Sequence, residues 1–198
     1  MIVVISSSAT IDNEADIING LFDEGMEVFH LRKPGDSREK VRALLNKIKP
    51  EHYGRISIHQ FHDMAADYGI KRLHYKKKER RKVKEEELIR HKRNDMILST
   101  SVHSLKSYSQ LMQYYDYTFV GPVFDSISKN GYMSGFWKDM DIRDDKGAIK
   151  MIAIGGITPE NMDRILHIGF DGAAVLGTIW KNPEEAISNF KKLIEYAS

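Results

Sequence analysis

The stretch Met151-Ile-Ala-Ile-Gly-Gly-Ile-Thr-Pro-Glu-Asn161 decides how the chain is read. Met151 to Ile154 is an apolar, partly β-branched run, the form of a strand buried on both faces. It stops at Gly155-Gly156, where the backbone can turn sharply and come close to a ligand. Thr158-Pro-Glu then opens a helix, with Thr158 as N-cap and Pro159 at the first helical position. The free N–H groups of such a turn and helix start suit an anion.

The unit then repeats. Phe170-Asp-Gly-Ala-Ala-Val-Leu-Gly-Thr-Ile179 reads as a second buried strand, ending in Gly177-Thr178 before a helix from Asn182 to Ala197. Two consecutive strand-to-helix turns with glycines form the phosphate site found in many (β/α)8 barrels after strands 7 and 8. Gly155, Gly156, Gly177 and Thr178 are therefore the expected phosphate-binding residues.

Upstream, short β-rich runs alternate with segments of helical period, the sequence form of consecutive βαβ units. Strands are expected at Ile2 to Ser6, Glu27 to Arg32, Arg55 to Gln60, Lys71 to Tyr75, Met96 to Ser101 and Tyr117 to Val123. Between them, Ile17, Ile18, Leu21 and Phe22 share one helix face. Val41, Leu44, Leu45 and Ile48 share another, after a Ser37 cap, and a short helix is read around Met64 to Tyr68. A further helix carries Leu105, Tyr108, Leu111 and Met112. With the two C-terminal units this makes an eight-unit series, which fits a closed (β/α)8 TIM barrel better than an open doubly wound sheet. The rhythm lapses between Phe124 and Lys150, where glycines flank aromatics. A lid over the site and an ordinary loop with a short helix near Ile142 to Ala148 are equally compatible with that stretch.

A chain of 198 residues holds one well-buried core, so residues 1–198 are expected to form a single domain. Lys and Arg number 30 against 28 Asp and Glu, and the net charge of +2 points to no polyanionic partner. The charge run Lys76 to Arg93 mixes signs and lacks interleaved aromatics, so it reads as a solvated outer helix and not a nucleic-acid surface. The absence of cysteine excludes a disulfide framework and fits a reducing cytoplasm. Met1-Ile-Val-Val-Ile-Ser6 has no basic flank and reads as a strand, not a signal peptide, and no apolar run is long enough to span a membrane.

In either architecture the chemistry lies at the carboxyl ends of the strands. Half of the eight histidines fall near that rim: His30, His59, His74 and His103. Neighbouring strands could bring them to a zinc or iron ion, but no HExxH or HxH spacing appears, and separate hydrogen-bonding or packing roles are favoured. His103, in Ser99-Thr-Ser-Val-His-Ser104, is the best acid/base candidate, with Ser101 among the hydroxyls beside it. Arg32 could clamp a carboxylate or phosphate, whereas Lys33 reads as exposed. In Gly121-Pro-Val-Phe-Asp-Ser-Ile-Ser-Lys129, the side chains of Ser126, Ser128 and Lys129 offer a second anion clamp, with a plain turn as the alternative.

Ala153-Ile-Gly-Gly-Ile157 with Asn161, Gly172-Ala-Ala-Val-Leu-Gly-Thr-Ile179, and Tyr117-Thr-Phe-Val-Gly-Pro-Val-Phe124 followed by Ser-x-Ser-Lys together resemble the thiamine phosphate synthase and TenI superfamily. The resemblance runs from the second strand to the last helix. It implies a barrel that binds a thiazole phosphate at Gly155, Gly156 and the Gly177-Thr178 turn. It also implies one of two activities. The synthase joins a hydroxymethylpyrimidine diphosphate to the thiazole phosphate with Mg2+, while TenI-type tautomerases shift a proton on a thiazole carboxylate phosphate and need no cofactor.

Departures separate the two. The synthase pattern of Asn-Asp after the third strand is replaced by His59-Gln60, and its Gly-Gln-Glu-Asp run by Lys76-Lys-Lys-Glu79, so Glu79 is the sole stand-in for a metal carboxylate and only if no gap intervenes. The Arg-x-Lys pattern becomes Arg32-Lys33-Pro34. Ser126-x-Ser128-Lys129 resembles the synthase's diphosphate clamp, whereas Phe29-His-Leu-Arg32 and Ser101-Val-His-Ser104 resemble the TenI branch, in which the histidine corresponding to His103 is the acid/base. His30, His59, His74, Ser101 and Gly121 are expected to line the substrate site with Arg32. The expected function is TenI-type proton transfer, with synthase and a non-catalytic thiazole phosphate or thiamine phosphate binding protein as alternatives. Members of this superfamily often self-associate, so a homodimer is expected.

Overall fold

The computed structural model describes residues 1–124 and 141–197. Eight parallel strands close on themselves in chain order. They are β1 (Ile2–Ile5), β2 (Val28–Leu31), β3 (Ile56–Ile58), β4 (Arg72–Tyr75), β5 (Ile97–Val102), β6 (Tyr117–Val120), β7 (Lys150–Ile154) and β8 (Gly172–Val175). Closure is made by β1 against β8, with Val3 opposite Ala174. The sheet is thus the (β/α)8 barrel that the alternation predicts. The expected helix faces are buried as read: Ile18 and Leu21 of α1 (Glu14–Asp23), and Val41 and Leu45 of α2 (Arg38–Leu45). Ser37 caps α2 by accepting from the N–H of Lys40.

The side-chain alternation of the strands divides the core in two. Residues such as Val4, Phe29 and Leu31 face outward against the helices, where they join Leu21, Phe22, Leu45 and Phe190 of α8 (Ala186–Ala197) in one large cluster. Val3, Ile5, Val28, Phe119, Ile152 and Ala174 form a second cluster inside the barrel. Every strand is therefore buried on both faces, which explains its nearly continuous apolar run.

The departures from the sequence reading lie at element ends. After β3 there is no α-helix but a 3-10 segment, His62–Tyr68. The charge run forms two helices, α3 (Lys77–Arg80) and α4 (Glu85–Arg93), and only Leu88 of α4 is fully buried. The helix α5 (Leu105–Ser109) is shorter than expected, leaving Met112 outside it at 41% exposure. Near Ile142 the chain makes a 3-10 turn, Arg143–Asp145, while α6 (Met162–Ile168) follows the Pro159 turn. The last strand ends at Val175, not Ile179, because Gly177–Trp180 is already helical and forms α7. The stretch 124–149, for which a lid and an ordinary loop are equally compatible with the sequence, falls mostly outside the described residues. No helix among them is long and apolar enough to cross a membrane.

Candidate active site at the barrel mouth

The interior of the barrel is apolar on one side and polar on the other. Three of the four rim histidines come together on the polar side: His30 on β2, His59 just after β3 and His74 on β4, all at most 3% exposed. His30 Nδ1 lies 2.8 Å from His59 Nε2, and His30 Nε2 lies 2.7 Å from the Tyr117 hydroxyl. His74 is held at both nitrogens, by Ser99 Oγ at 2.9 Å and Ser101 Oγ at 3.0 Å. The register explains the grouping, since His30 lies opposite Ser57, His74 opposite Ser99, and Ser99 opposite Tyr117.

Burial drives all three imidazoles to stay neutral. His30 and His59 are pushed well below the ordinary histidine range by burial first and then by neighbouring positive charge, and His74 falls to about 3 for the same reasons. One nitrogen from each ring lies within 4.8 Å of the others, a spacing from which a metal ion could be held. The rings of His59 and His74, however, stack 4.0 Å apart with only 16° between their planes, so their in-plane lone pairs run side by side instead of converging. As folded, the trio is a hydrogen-bonded stack, so the three rings act together and not in the separate roles favoured from sequence.

Above the histidines the mouth is cationic. Arg32 and Lys76 act on the charge of both His59 and His74, and Arg80 acts on His74. Arg32 is fixed through its backbone, which donates to Ser6 Oγ at 2.8 Å while that hydroxyl donates to the Arg32 carbonyl at 2.9 Å. Lys33 corrects the expectation of exposure. It points outward, is 3% exposed, and pairs at 2.5 Å with Glu14, itself 4% exposed. Its ammonium also donates to the Ala9 carbonyl at 3.0 Å, which ties the loop after β1 to the loop after β2.

Arg80, read from sequence as part of a solvated face, instead reaches the end of β5, donating to Thr100 Oγ1 at 2.8 Å and to the Ser101 carbonyl at 2.6 Å. Glu79 is engaged in its own helix start, accepting from the Lys76 N–H at 2.9 Å and lying 3.8 Å from Lys76 Nζ. Magnesium favours an octahedral shell of oxygens. Among the described residues the mouth offers cations and imidazoles, and its one candidate carboxylate is a helix cap, so these residues do not fit that ion.

His103 stands apart from the trio, exposed just beyond β5. Its Nδ1 lies 2.8 Å from the Gly121 carbonyl, and since a carbonyl only accepts, the ring nitrogen is the donor. Gly121 can occupy its place only without a side chain, because a Cβ there would fall 2.0 Å from the Ile154 carbonyl.

The glycine turns after β7 and β8 are joined to each other. Gly155 and Gly156 have φ of 100° and 64°, the left-handed region that glycine tolerates. Asn161 closes the first turn, accepting from the Thr158 N–H at 3.0 Å and donating to the Gly156 carbonyl at 2.8 Å. The Thr178 hydroxyl donates to the Ile157 carbonyl, and Asn189 of α8 donates to the Thr178 carbonyl at 3.1 Å. Gly177 and Thr178 open α7, where by helix geometry their N–H groups have no acceptor within the helix.

Of the sequence-derived site residues, Arg32, Ser101, His30, His59 and His74 thus share the polar side of the barrel. Gly121 supports His103, and the four phosphate candidates form the joined turns. Ser126, Ser128 and Lys129 lie outside the described residues. Tyr117, Ser99, Lys76 and Arg80 were not singled out from sequence, although the inward alternation of β5 and β6 marks Ser99 and Tyr117 as interior positions.

A closed parallel barrel with glycine turns after its last two strands is a (β/α)8 barrel, and those turns stand where many such barrels place a phosphate site. Residues 1–179 match the TMP-TENI family, described as thiamine monophosphate synthase, and the chain belongs to that family. A thiamine-phosphate synthase of Staphylococcus haemolyticus is 31% identical over 102 residues, which cover 49% of this chain and 48% of the relative. One of Geobacillus thermodenitrificans is 22% identical over 178 residues, covering 85% and 79%. The chain spans about half the length of the first curated relatives it matches. Among solved structures, a thiamine phosphate pyrophosphorylase of Bacteroides thetaiotaomicron superposes with a TM-score of 0.79 at 25% identity, over 99% of this chain and 96% of that one. A second, from Pyrococcus furiosus, has a TM-score of 0.73 at 19% identity, over 98% and 94%, and shows the shared fold.

Proposed function

We propose that this protein acts in thiamine biosynthesis by binding a thiazole phosphate and moving a proton on it, with His103 as the acid/base of a TenI-type tautomerase. The bond from His103 Nδ1 to the Gly121 carbonyl carries this reading. In the neutral ring the proton then sits on Nδ1, and Nε2 holds the lone pair. A base oriented in this way at the open end of the barrel can take a proton from one position of a bound ring and return it to another. The phosphate is assigned to the turns of Gly155, Gly156, Gly177 and Thr178.

A second reading is favoured by the names of the relatives, which are thiamine-phosphate synthases or pyrophosphorylases. In it the chain joins a pyrimidine diphosphate to the thiazole phosphate with Mg2+. The cationic mouth and the capping role of Glu79 weigh against it. Turnover of the thiazole carboxylate phosphate tautomer discriminates the two. The His103→Ala variant should lose about 10²- to 10⁴-fold in kcat/KM while still binding the compound. Full turnover by that variant overturns the first reading, and magnesium-dependent formation of thiamine phosphate establishes the second.

A further inference from the structure

On one side β5 runs on past its neighbour. The pairing of β4 with β5 stops at Tyr75 opposite Thr100, whereas that of β5 with β6 continues to Val102 opposite Val120. Ser101 therefore has no β4 residue opposite it, because the chain leaves β4 and turns at Lys76 into α3. The carbonyl of such a strand end still needs a donor. Arg80, the last residue of α3, supplies it: Nη1 donates to the Ser101 carbonyl at 2.6 Å and to Thr100 Oγ1 at 2.8 Å. The Thr100 hydroxyl gives its own proton to the Tyr75 carbonyl at 2.7 Å, which leaves its lone pairs free to accept from Arg80.

The segment held in this way leads to the acid/base. Ser101 Oγ lies 3.0 Å from His74 Nε2, and His103, whose Nδ1 donates to the Gly121 carbonyl at 2.8 Å, follows two residues later. A peptide unit is planar, so fixing the Ser101 carbonyl fixes the whole unit up to Val102. Only the two backbone dihedrals of Val102 separate that plane from the one that ends at His103. Val102 is 2% exposed and paired with β6, which leaves those dihedrals little freedom. The end of β5 is thus gripped from both flanks, by Arg80 on the β4 side and by β6 on the other. Arg80 is partly buried and has no carboxylate partner among the described residues, so its charge is directed at β5 and not at an ion pair.

We propose that Arg80 is a positioning residue for His103: by holding the Ser101 peptide it keeps the imidazole where a bound ring can meet it. The proposal rests on the reading of His103 as the acid/base. It gives one residue of the charge run a role in the site, exerted through the backbone of β5.

Turnover and imidazole NMR of the full chain test it. Arg80→Ala should lose about ten- to a hundredfold in kcat with KM unchanged, the signature of a displaced catalytic group and not of a lost ligand contact. Dilute guanidinium, which can enter the vacated place, should restore most of that loss. Urea at the same concentration, and guanidinium added to His103→Ala, should restore nothing. Arg80→Lys keeps the charge without the planar fork and should fall between. By NMR, the His103 ring of Arg80→Ala should depart from a single Nδ1–H tautomer, and guanidinium should bring it back. Turnover and a His103 spectrum equal to those of the unaltered protein in folded Arg80→Ala overturn the proposal. Should that variant fail to fold, Arg80→Lys decides by the same kcat-against-KM split and the same spectrum. Absence of tautomerase turnover in the unaltered protein removes the proposed function instead. The His103 tautomer of the variants then decides the link to Arg80 alone, a changed one keeping it and an unchanged one removing it.

Discussion

Arg32 and Lys33 are adjacent cations with opposite fates. Arg32 joins His30 on the inner side of β2, where it adds positive charge beside His59, while Lys33 turns outward and is buried against Glu14 of α1. Composition and charge make the two residues alike; the strand's alternation tells them apart, but the partner Glu14 lies on another element and is not legible locally. Burial raises the Glu14 carboxyl above its usual range, and the bond and charge of Lys33 pull it back. Removing the lysine leaves a carboxylate stranded in the core. Lys33→Met should therefore destabilise the fold by about 3–5 kcal/mol, and adding Glu14→Gln should recover part of the loss. Urea unfolding of the single and double variants at neutral pH measures both. A Lys33→Met midpoint equal to that of the unaltered chain contradicts the account of this pair.

Between elements, the close approach of β6 and β7 positions His103. The chain leaving β6 passes so near Ile154 that Gly121 tolerates no Cβ, and the carbonyl of that same residue holds the imidazole. Gly121→Ala should cost roughly 3 kcal/mol or more, because the added atom meets backbone and not a flexible side chain. It should also release His103, so that any residual folded protein shows a changed His103 tautomer by NMR. An alanine variant with unaltered stability and spectrum contradicts this. The glycines were legible as turn residues, but the particular contact was not, since it depends on two strands far apart in sequence. The charge run after β4 failed for a related reason. Its mixed signs describe α4 well, yet one side chain, Arg80, folds back onto β5 and no periodicity in Lys77 to Arg80 reveals it.

At the scale of the molecule, the alternation of strands and helices made the barrel legible, and the repeated glycine turns placed its open end. What alternation does not specify is the polar half of the interior. His30, His59 and His74 could be assigned to strand ends one at a time, but their mutual contacts follow from the register of β2 to β5. Keeping these imidazoles neutral ties stability to pH. Their folded-state values lie below the ordinary histidine value of 6.5, so the unfolded chain takes up protons first. Their contribution is complete above pH 6.5 and is lost as the pH falls toward about 3, where His74 itself protonates. Each histidine held neutral removes about 1.4 kcal/mol per pH unit below 6.5. The urea midpoint should thus fall steadily between pH 6.5 and 5, before paired carboxylates such as Asp23 and Asp63 begin to titrate. A flat midpoint over that interval contradicts the buried neutral trio.

As proposed, this mouth handles a thiazole phosphate without magnesium. Calorimetric titration of the purified protein with thiazole phosphate and with pyrimidine diphosphate, each with and without Mg2+, tests it most directly. Binding of thiazole phosphate should be indifferent to the metal. Magnesium-dependent binding of the pyrimidine diphosphate would contradict it and restore the transferase reading.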